Sequence, residues 1–568
     1  MNYPLNPLSY TLPPDVESAL AETLKDWKTN DKIFRLWSKD ASLWTNSGEE
    51  KWLGWLDIVD EELAGLDKYA DFAQDSKSFE HIALLGMGGS SLCPEVLSLV
   101  FGKPQFHILD STVTAQVRAV ENSIDLAKTL FIVASKSGST LEPNCFKQYF
   151  YERVTQTLGA EKAGAHFVAI TDPGSKMRQV AERDNFRKIF FGKPEIGGRF
   201  SALSVFGMAA AAAMQIDVKE FLSRANEMVH ACKSRESTEN PGVILGAILG
   251  AGYKLGRDKL KIIASPSKRS VGSWLEQLIA ESLGKNGVSI IPIDRKGSIE
   301  SVICGDDSVF VYLRSEADFD PDQDALIAQL DSEGQAVIRI RSLDKANLGQ
   351  EFFRWEFATA VAGAIMGLNP FDQPDVEAAK IEARKITEEF ETTGALPAET
   401  PFFEQDGIKL FTDEANQIEL KSLLNGDESV AAYVNAHLGR IKPKDYFAIL
   451  AYLEMNFDND VALEKLRHAI LQKYQVATSL QFGPRFLHST GQAFKGGAGN
   501  GVFLQITSDD AEDFTVPGQK YSFGVVKAAQ SRGDFQVLLD RKRRALRIHL
   551  PVNVTNYLQK FPAMISGL

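Results

Sequence analysis

Short apolar runs recur along the chain with room for one helix between them. HIALLG at 81–86, FHILD at 106–110, TLFIVAS at 129–135 and HFVAIT at 166–171 form one series. KLKIIAS at 259–265, VSIIPID at 288–294, VFVYLR at 309–314 and QAVIRIR at 335–341 form a second. Runs this short and this continuously apolar predict parallel strands covered on both faces and joined by crossover helices. Helical patterns occupy the intervals, with an Ala-rich one near 205–214 and another near 217–236. Residues 1–78 read as helices rich in Trp, Leu and acidic residues, as in KWLGWLDIVDEELAGL at 51–66. A long helical pattern, DVEAAKIEARKITEEFE, starts at Pro374, and a looser acidic region covers 395–428. QVATSLQF at 475–482, GVFLQIT at 501–507 and ALRIHL at 545–550 then predict a third, smaller α/β unit.

The pattern therefore predicts an α/β protein with two doubly wound parallel-sheet domains. A helical segment over 1–78 is expected to pack on the first domain, which covers 79–238. The second domain covers 239–373, with Asn240-Pro241-Gly242 at the boundary, and a helical and small α/β region covers 374–568. The two halves share a topology without a residue-level repeat, and no segment is of low complexity.

The 568 residues are too many for one core, and a prior of ~150 residues per domain gives three or four units. A net charge of −13 argues against a general nucleic-acid or anionic-membrane binder, though not against a local cationic pocket. Cys93, Cys145, Cys232 and Cys304 form no CxxC pair, which removes zinc-ribbon and dithiol readings and fits a reducing, cytoplasmic setting. The start MNYPLNPLSYTLPPDV lacks the basic and apolar regions of a signal peptide. Apolar stretches such as Phe206–Met214 are too short to span a bilayer.

Two turns carry candidate chemistry. GMGGSS at 86–91 and SKSGST at 135–140 each follow an apolar strand and open a helix. Free N–H groups and a partial positive charge at a helix start hold an anion, and glycines let it come close. Gly88, Gly89 and Ser90 in the first turn, and Ser135, Lys136, Ser137 and Thr140 in the second, are the candidate phosphate ligands. A single Gly-rich turn is better explained by strand–helix geometry; two, both hydroxyl-rich and both at strand carboxyl ends, point to a ligand. Neither is a Walker A loop, and Ser91 stands where the third glycine of G-x-G-x-x-G would fall, so a nucleotide is poorly supported.

Gln277 and Glu281 are four residues apart in WLEQLIAESLGK and share a helix face, which provides a carboxylate base with an amide beside it. Arg199 follows two glycines in GGRFS, which bring its backbone close to a neighbour. His488 in RFLHSTGQ is a candidate acid or base. Lys380 lies early in the helix after Pro374. Taken alone, a glutamate of this kind is more readily a surface residue and a lone histidine more often a structural one, while Arg199 and Lys380 read as well as a loop arginine and a solvated helix lysine. The eight histidines are scattered and no H-E-x-x-H or H-x-x-E-H run occurs, so no metal site and no cofactor are expected.

Taken together, GMGGSS, SKSGST, GGRFS, QLIAESLGK, NPFDQPDVEAAK and FLHSTGQ resemble phosphoglucose isomerase, over nearly the whole chain. The likeness is strongest to the isomerase portion fused behind transaldolase in some bacterial bifunctional proteins. The resemblance implies two sugar-isomerase (SIS-type) domains, a sugar-phosphate substrate and a homodimer, and a functional pairing with a separate transaldolase. It implies that Glu281 moves a proton between C1 and C2, with Gln277 one turn earlier, and that Arg199 lies beside the enediolate. Lys380 and His488 match residues associated with ring opening, and Ser90, Ser135, Lys136, Ser137 and Thr140 match the phosphate site. The chain departs from the family twice. Leu283 replaces the Asn of Glu-Ser-Asn-Gly-Lys, which bears on C2 selectivity, and Lys380 precedes His488 where the common order is the reverse. The alternatives are a dual phosphoglucose/phosphomannose isomerase and a non-catalytic sugar-phosphate sensor of the same fold.

Overall fold

In the computed structural model, residues 3–294, 305–424 and 426–565 are described. Cys304 lies outside them; Cys93, Cys145 and Cys232 are buried free thiols. Among the described residues sixteen strands form three sheets. In chain order they are β1 (Leu8–Thr11), β2 (His81–Gly86), β3 (Phe106–Leu109), β4 (Thr129–Ala134), β5 (Phe167–Thr171) and β6 (Lys188–Phe191). Then follow β7 (Lys259–Ala264), β8 (Ile291–Asp294), β9 (Ser308–Ser315) and β10 (Ala336–Ser342). The last are β11 (Phe403–Gln405), β12 (Ile408–Phe411), β13 (Tyr446–Tyr452), β14 (Ala477–Phe482), β15 (Gly501–Ser508) and β16 (Arg544–Leu550).

The chain divides into two compact units. The first comprises Met1–Leu109, Ile124–Leu283 and Ser289–Asp372; the second comprises Asp110–Ser123, Gly284–Val288 and Gln373–Leu568. The first unit holds two sheets. One is all parallel, in the order β3-β2-β4-β5-β6. The other has the order β1-β10-β9-β7-β8, parallel except for β1. β4 is buried at every residue, which is why its sequence is a continuous apolar run rather than an alternating one. One hydrophobic core runs through both sheets, from Leu84 and Ile132 to Ile262, Val311 and Ile338. The N-terminal segment, expected to pack on the first domain, also serves the second sheet. Leu8–Thr11 pairs antiparallel with β10 and closes an edge that would otherwise expose unpaired backbone groups. β8 is shorter than the run at 288–294, because Lys285 and Val288 pair across a turn in which Gly287 has φ 81°.

The second unit has a separate core around Phe447, Ile449, Leu504 and Ile548. Its sheet order is β11-β12-β16-β15-β13-β14, with β16, β15, β13 and β14 parallel and the β11–β12 hairpin antiparallel on one edge. β13 was not among the strands expected from the sequence, yet it is wholly buried between β15 and β14. No helix among the described residues is long and apolar enough to cross a membrane.

Candidate active site

In the first sheet β2 lies between β3 and β4, so the chain leaves the carboxyl ends of β2 and β4 toward opposite sides. This is the place where open α/β sheets take ligands. The turn after β2 and the turn after β4 are the two Gly/Ser/Thr segments singled out above.

The first turn tightens into a 3-10 turn over Gly88–Ser90 before helix Leu92–Phe101. A side-chain carbon on Gly89 would lie 2.0 Å from the Gly198 carbonyl oxygen. The glycine therefore lets the backbone that carries Arg199 press against this turn. Ser90 is half-buried, whereas Ser91 is buried and its Oγ donates to the Gly88 carbonyl at 3.2 Å, which holds the turn itself.

The second turn, Ser135–Thr140, opens the 18-residue helix Leu141–Leu158. Gly138 has φ 68°, and a side-chain carbon there would meet the Met177 backbone nitrogen at 2.3 Å. Ser135 is 2% exposed and its Oγ has no hydrogen-bond partner among the described residues. A buried hydroxyl left unsatisfied is costly, and at a helix start it is a ready ligand donor. Thr140 stands at the cap position without a side-chain cap bond. Ser137 and Ser139 are exposed, with their hydroxyls 2.9 Å apart. Lys136 is ion-paired with Asp172, and its Nζ also donates to the Pro194 carbonyl at 3.2 Å. Burial pushes the Asp172 carboxyl above its ordinary value, although Lys136 opposes the shift.

Arg199, Gln277 and Glu281 come together in the same unit. Gln277 and Glu281 lie on helix Val271–Leu283, and the Gln277 Nε2 donates to the Glu281 Oε2 at 3.2 Å. The Arg199 Nη1 is 3.2 Å from the Glu281 Oε1. Its Nε donates to the Ser282 hydroxyl at 2.7 Å, and its Nη2 to the carbonyls of Pro370 at 2.6 Å and Asp372 at 3.0 Å. Arg199 is 3% exposed and Glu281 7%. Burial draws the guanidinium below its ordinary value, and Glu281 and Asp372 oppose that shift. A buried cation is thus held beside a buried carboxylate by a set of directed polar contacts. Ser282, which orients Arg199, and Asp172, which pairs Lys136, were not among the residues picked from the sequence. Ser282 directly follows Glu281; nothing in the sequence marks Asp172. Leu283 is fully buried in the core.

The second sheet repeats the strand arrangement, with β7 between β8 and β9. There the anion place is taken by the protein itself. The backbone nitrogen and hydroxyl of Ser267 both donate to the Asp318 carboxylate, each at 2.7 Å.

Lys380 and His488 belong to the second unit. Lys380 lies on helix Pro374–Thr393, half-exposed and paired with Glu377 at 2.8 Å. Exposed pairs of this kind contribute little and leave the ammonium available. His488 ends the turn Arg485–His488 and is half-buried; Arg485 donates from Nε to the Asp110 Oδ2 at 2.7 Å and fixes the turn.

Residues 69–305 match the family described as phosphoglucose isomerase. That span contains both phosphate-loop candidates, Arg199, Gln277 and Glu281, and ends before Lys380 and His488. The chain is 28% identical over 390 residues to a protein of Methanococcus maripaludis described as "Probable glucose-6-phosphate isomerase", covering 61% of this chain and 86% of that one. It is 27% identical over 379 residues to a glucose-6-phosphate isomerase of Campylobacter jejuni, covering 59% of this chain and 92% of that one. A crystal structure of a hypothetical protein from Thermus thermophilus superposes with a TM-score of 0.58 at 24% identity, covering 66% of this chain and 99% of that one. That last likeness is one of fold: an α/β protein with parallel sheets.

Proposed function

We propose that this protein is a sugar-phosphate isomerase that interconverts glucose 6-phosphate and fructose 6-phosphate, as in glycolysis and gluconeogenesis. The observation that carries the reading is the buried Arg199–Glu281 contact at 3.2 Å, in the same unit as the unsatisfied Ser135 hydroxyl. In this reading Ser90, Ser135, Lys136, Ser137 and Thr140 hold the phosphate, while Gly88 and Gly89 shape the turn that faces it. The Glu281 carboxylate removes the C2 proton of the open-chain aldose. The C2 electron pair forms the C1=C2 double bond and the negative charge passes to O1, where Arg199 stabilises it. The O2–H proton then passes to O1, and the proton held by Glu281 returns to C1 as the C2=O2 carbonyl forms, which gives the ketose. Gln277 orients the carboxylate between the two carbons. General acid–base catalysis contributes ~10²–10⁴-fold, and preorganised charge on the developing oxyanion a comparable factor. No step requires a metal.

Lys380 and His488 are proposed to open and close the sugar ring, a step chemically separate from the C1–C2 transfer. A homodimer and a functional pairing with a separate transaldolase complete the reading. The test is a coupled assay on fructose 6-phosphate that measures glucose 6-phosphate and mannose 6-phosphate separately, on the wild type and on Glu281→Gln. Glucose 6-phosphate is the expected product, with loss of ~10²-fold or more in kcat for the variant. Substantial mannose 6-phosphate would establish the dual isomerase; no turnover of either product would favour the sensor. Near-normal turnover by Glu281→Gln would remove that residue from the mechanism.

A further inference from the structure

Helix Pro374–Thr393 starts without a cap of its own. Pro374 has no N–H, and the residue at the cap position, Gln373, makes no side-chain cap bond. The cap comes instead from Gln492, whose Oε1 accepts from the backbone nitrogens of Asp375 at 2.9 Å and Val376 at 3.1 Å. Its Nε2 donates to the Asp375 Oδ2 at 2.8 Å and to the Gly284 carbonyl at 3.1 Å. Gln492 is fully buried, and these four bonds use both lone pairs and both protons of the carboxamide. Asp375 is also buried, and its other oxygen is held by Arg541 at 2.8 Å. All of these groups lie within the second unit.

One side chain thus joins three stretches of chain far apart in sequence. It lies four residues after His488, on the short helix Gly491–Gly496. It grips the first turn of the helix on which Lys380 is carried, and it holds Gly284, three residues after Glu281. We propose that Gln492 is a positioning residue that sets His488 and the Lys380 helix in the register required for ring opening. Its placement follows from a carboxamide that both accepts from and donates to this helix start. A glutamate would set a carboxylate against that of Asp375, and a methionine would leave two helix N–H groups and a carbonyl without partners in the interior. A displacement of about 1 Å at a reacting group can cost on the order of 100-fold in rate.

The proposal rests on the isomerase reading, and the test separates the two. Gln492→Met and Gln492→Glu are compared with wild type on two substrates. One is fructose 6-phosphate, which closes its ring through the C5 hydroxyl; the other is 5-deoxyfructose 6-phosphate, which cannot close that ring. Turnover is followed on the first and solvent hydrogen exchange at C1 on the second. Both variants are expected to lose about tenfold or more in kcat on fructose 6-phosphate, with KM changed by about twofold at most. C1 exchange on the acyclic ketose should remain within about threefold of wild type. Adding Asp375→Asn to Gln492→Glu removes the facing charge and should recover part of the lost turnover, since the Gly284 carbonyl still faces the new carboxylate. A loss that is equal on the two substrates, or Gln492 variants that turn over fructose 6-phosphate normally, would overturn the positioning role while leaving the isomerase reading intact. If Gln492→Met does not fold, the Gln492→Glu and Asp375→Asn pair decides alone, through rescue or its absence. Wild-type protein with no isomerase activity would remove both.

Discussion

Two residues illustrate how burial is used in opposite ways. Ser135 is buried at the start of a long helix with no partner for its hydroxyl among the described residues, an arrangement that a bound anion would relieve. Replacing Ser135 and Thr140 together by Ala is expected to weaken 6-phosphogluconate binding by roughly 1.5–3 kcal/mol for each hydroxyl bond to the phosphate. Calorimetry with the phosphorylated and unphosphorylated acids checks this; an equal loss for both would show that these hydroxyls do not touch phosphate. Glu356 is also fully buried, but burial pushes its carboxyl well above the ordinary value of 4.5, which the Ala202 backbone only partly offsets. With the folded-state value raised, stability from this group is fully present below the unfolded value and is lost as pH rises toward the folded one. Glu356→Gln, which has no proton to lose, should therefore gain stability relative to wild type as pH rises from about 4 to 7. Denaturant titrations at several pH values test this, and a pH-independent difference would contradict it.

At the scale of elements, the two glycine-rich turns do different work. The turn after β4 presents hydroxyls at a helix start. The turn after β2 is shaped as much by the Arg199 turn against it as by any ligand. Gly89→Ala is expected to force these two backbones apart, since the added carbon would sit 2.0 Å from the Gly198 carbonyl. Overpacking of this kind costs about 1–3 kcal/mol of stability. The larger effect should be on kcat, because the guanidinium that faces Glu281 moves with its turn. A variant with normal kcat and only a lower melting temperature would mean that the Arg199 turn tolerates the shift. The repeated strand order across the first unit does not give its two sheets the same capacity for an anion. At the equivalent turn after β7, the Asp318 carboxylate already occupies the donors.

At the scale of the whole molecule, the proposed catalytic groups are distributed over both compact units, with Glu281 in one and His488 in the other. The expected homodimer would sediment at twice 62.6 kDa. His488→Ala should slow turnover of cyclic fructose 6-phosphate much more than C1 exchange on an acyclic analogue. In a dimer that takes its histidine from the partner chain, mixing His488→Ala with Glu281→Gln restores activity. Verified mixed dimers that stay inactive would place both residues in one chain.

Much of this was legible in the residues themselves. The apolar runs at 81–86, 129–135 and 259–265 are strands because a parallel sheet covered on both faces needs continuous apolar side chains, and that demand is written locally. The same holds for the spacing of Gln277 and Glu281, since one helical turn places them together whatever surrounds the helix. β13 shows the limit of this reading. FAILAYL is as apolar as the other runs, so its being a strand is a local matter; its place between β15 and β14 came only from the pairing of these strands. The use of Leu8–Thr11 as an edge strand depended on an unpaired edge more than three hundred residues away. The contacts of Arg199 with Ser282, Pro370 and Asp372, and the capping of helix Pro374–Thr393 by Gln492, were likewise decided by tertiary structure. Local pattern determines which segments are helix or strand, because backbone geometry and side-chain periodicity act over a few residues. Which distant donors and acceptors meet depends on how the segments pack, and burial then leaves each polar group only the partners that packing brings to it.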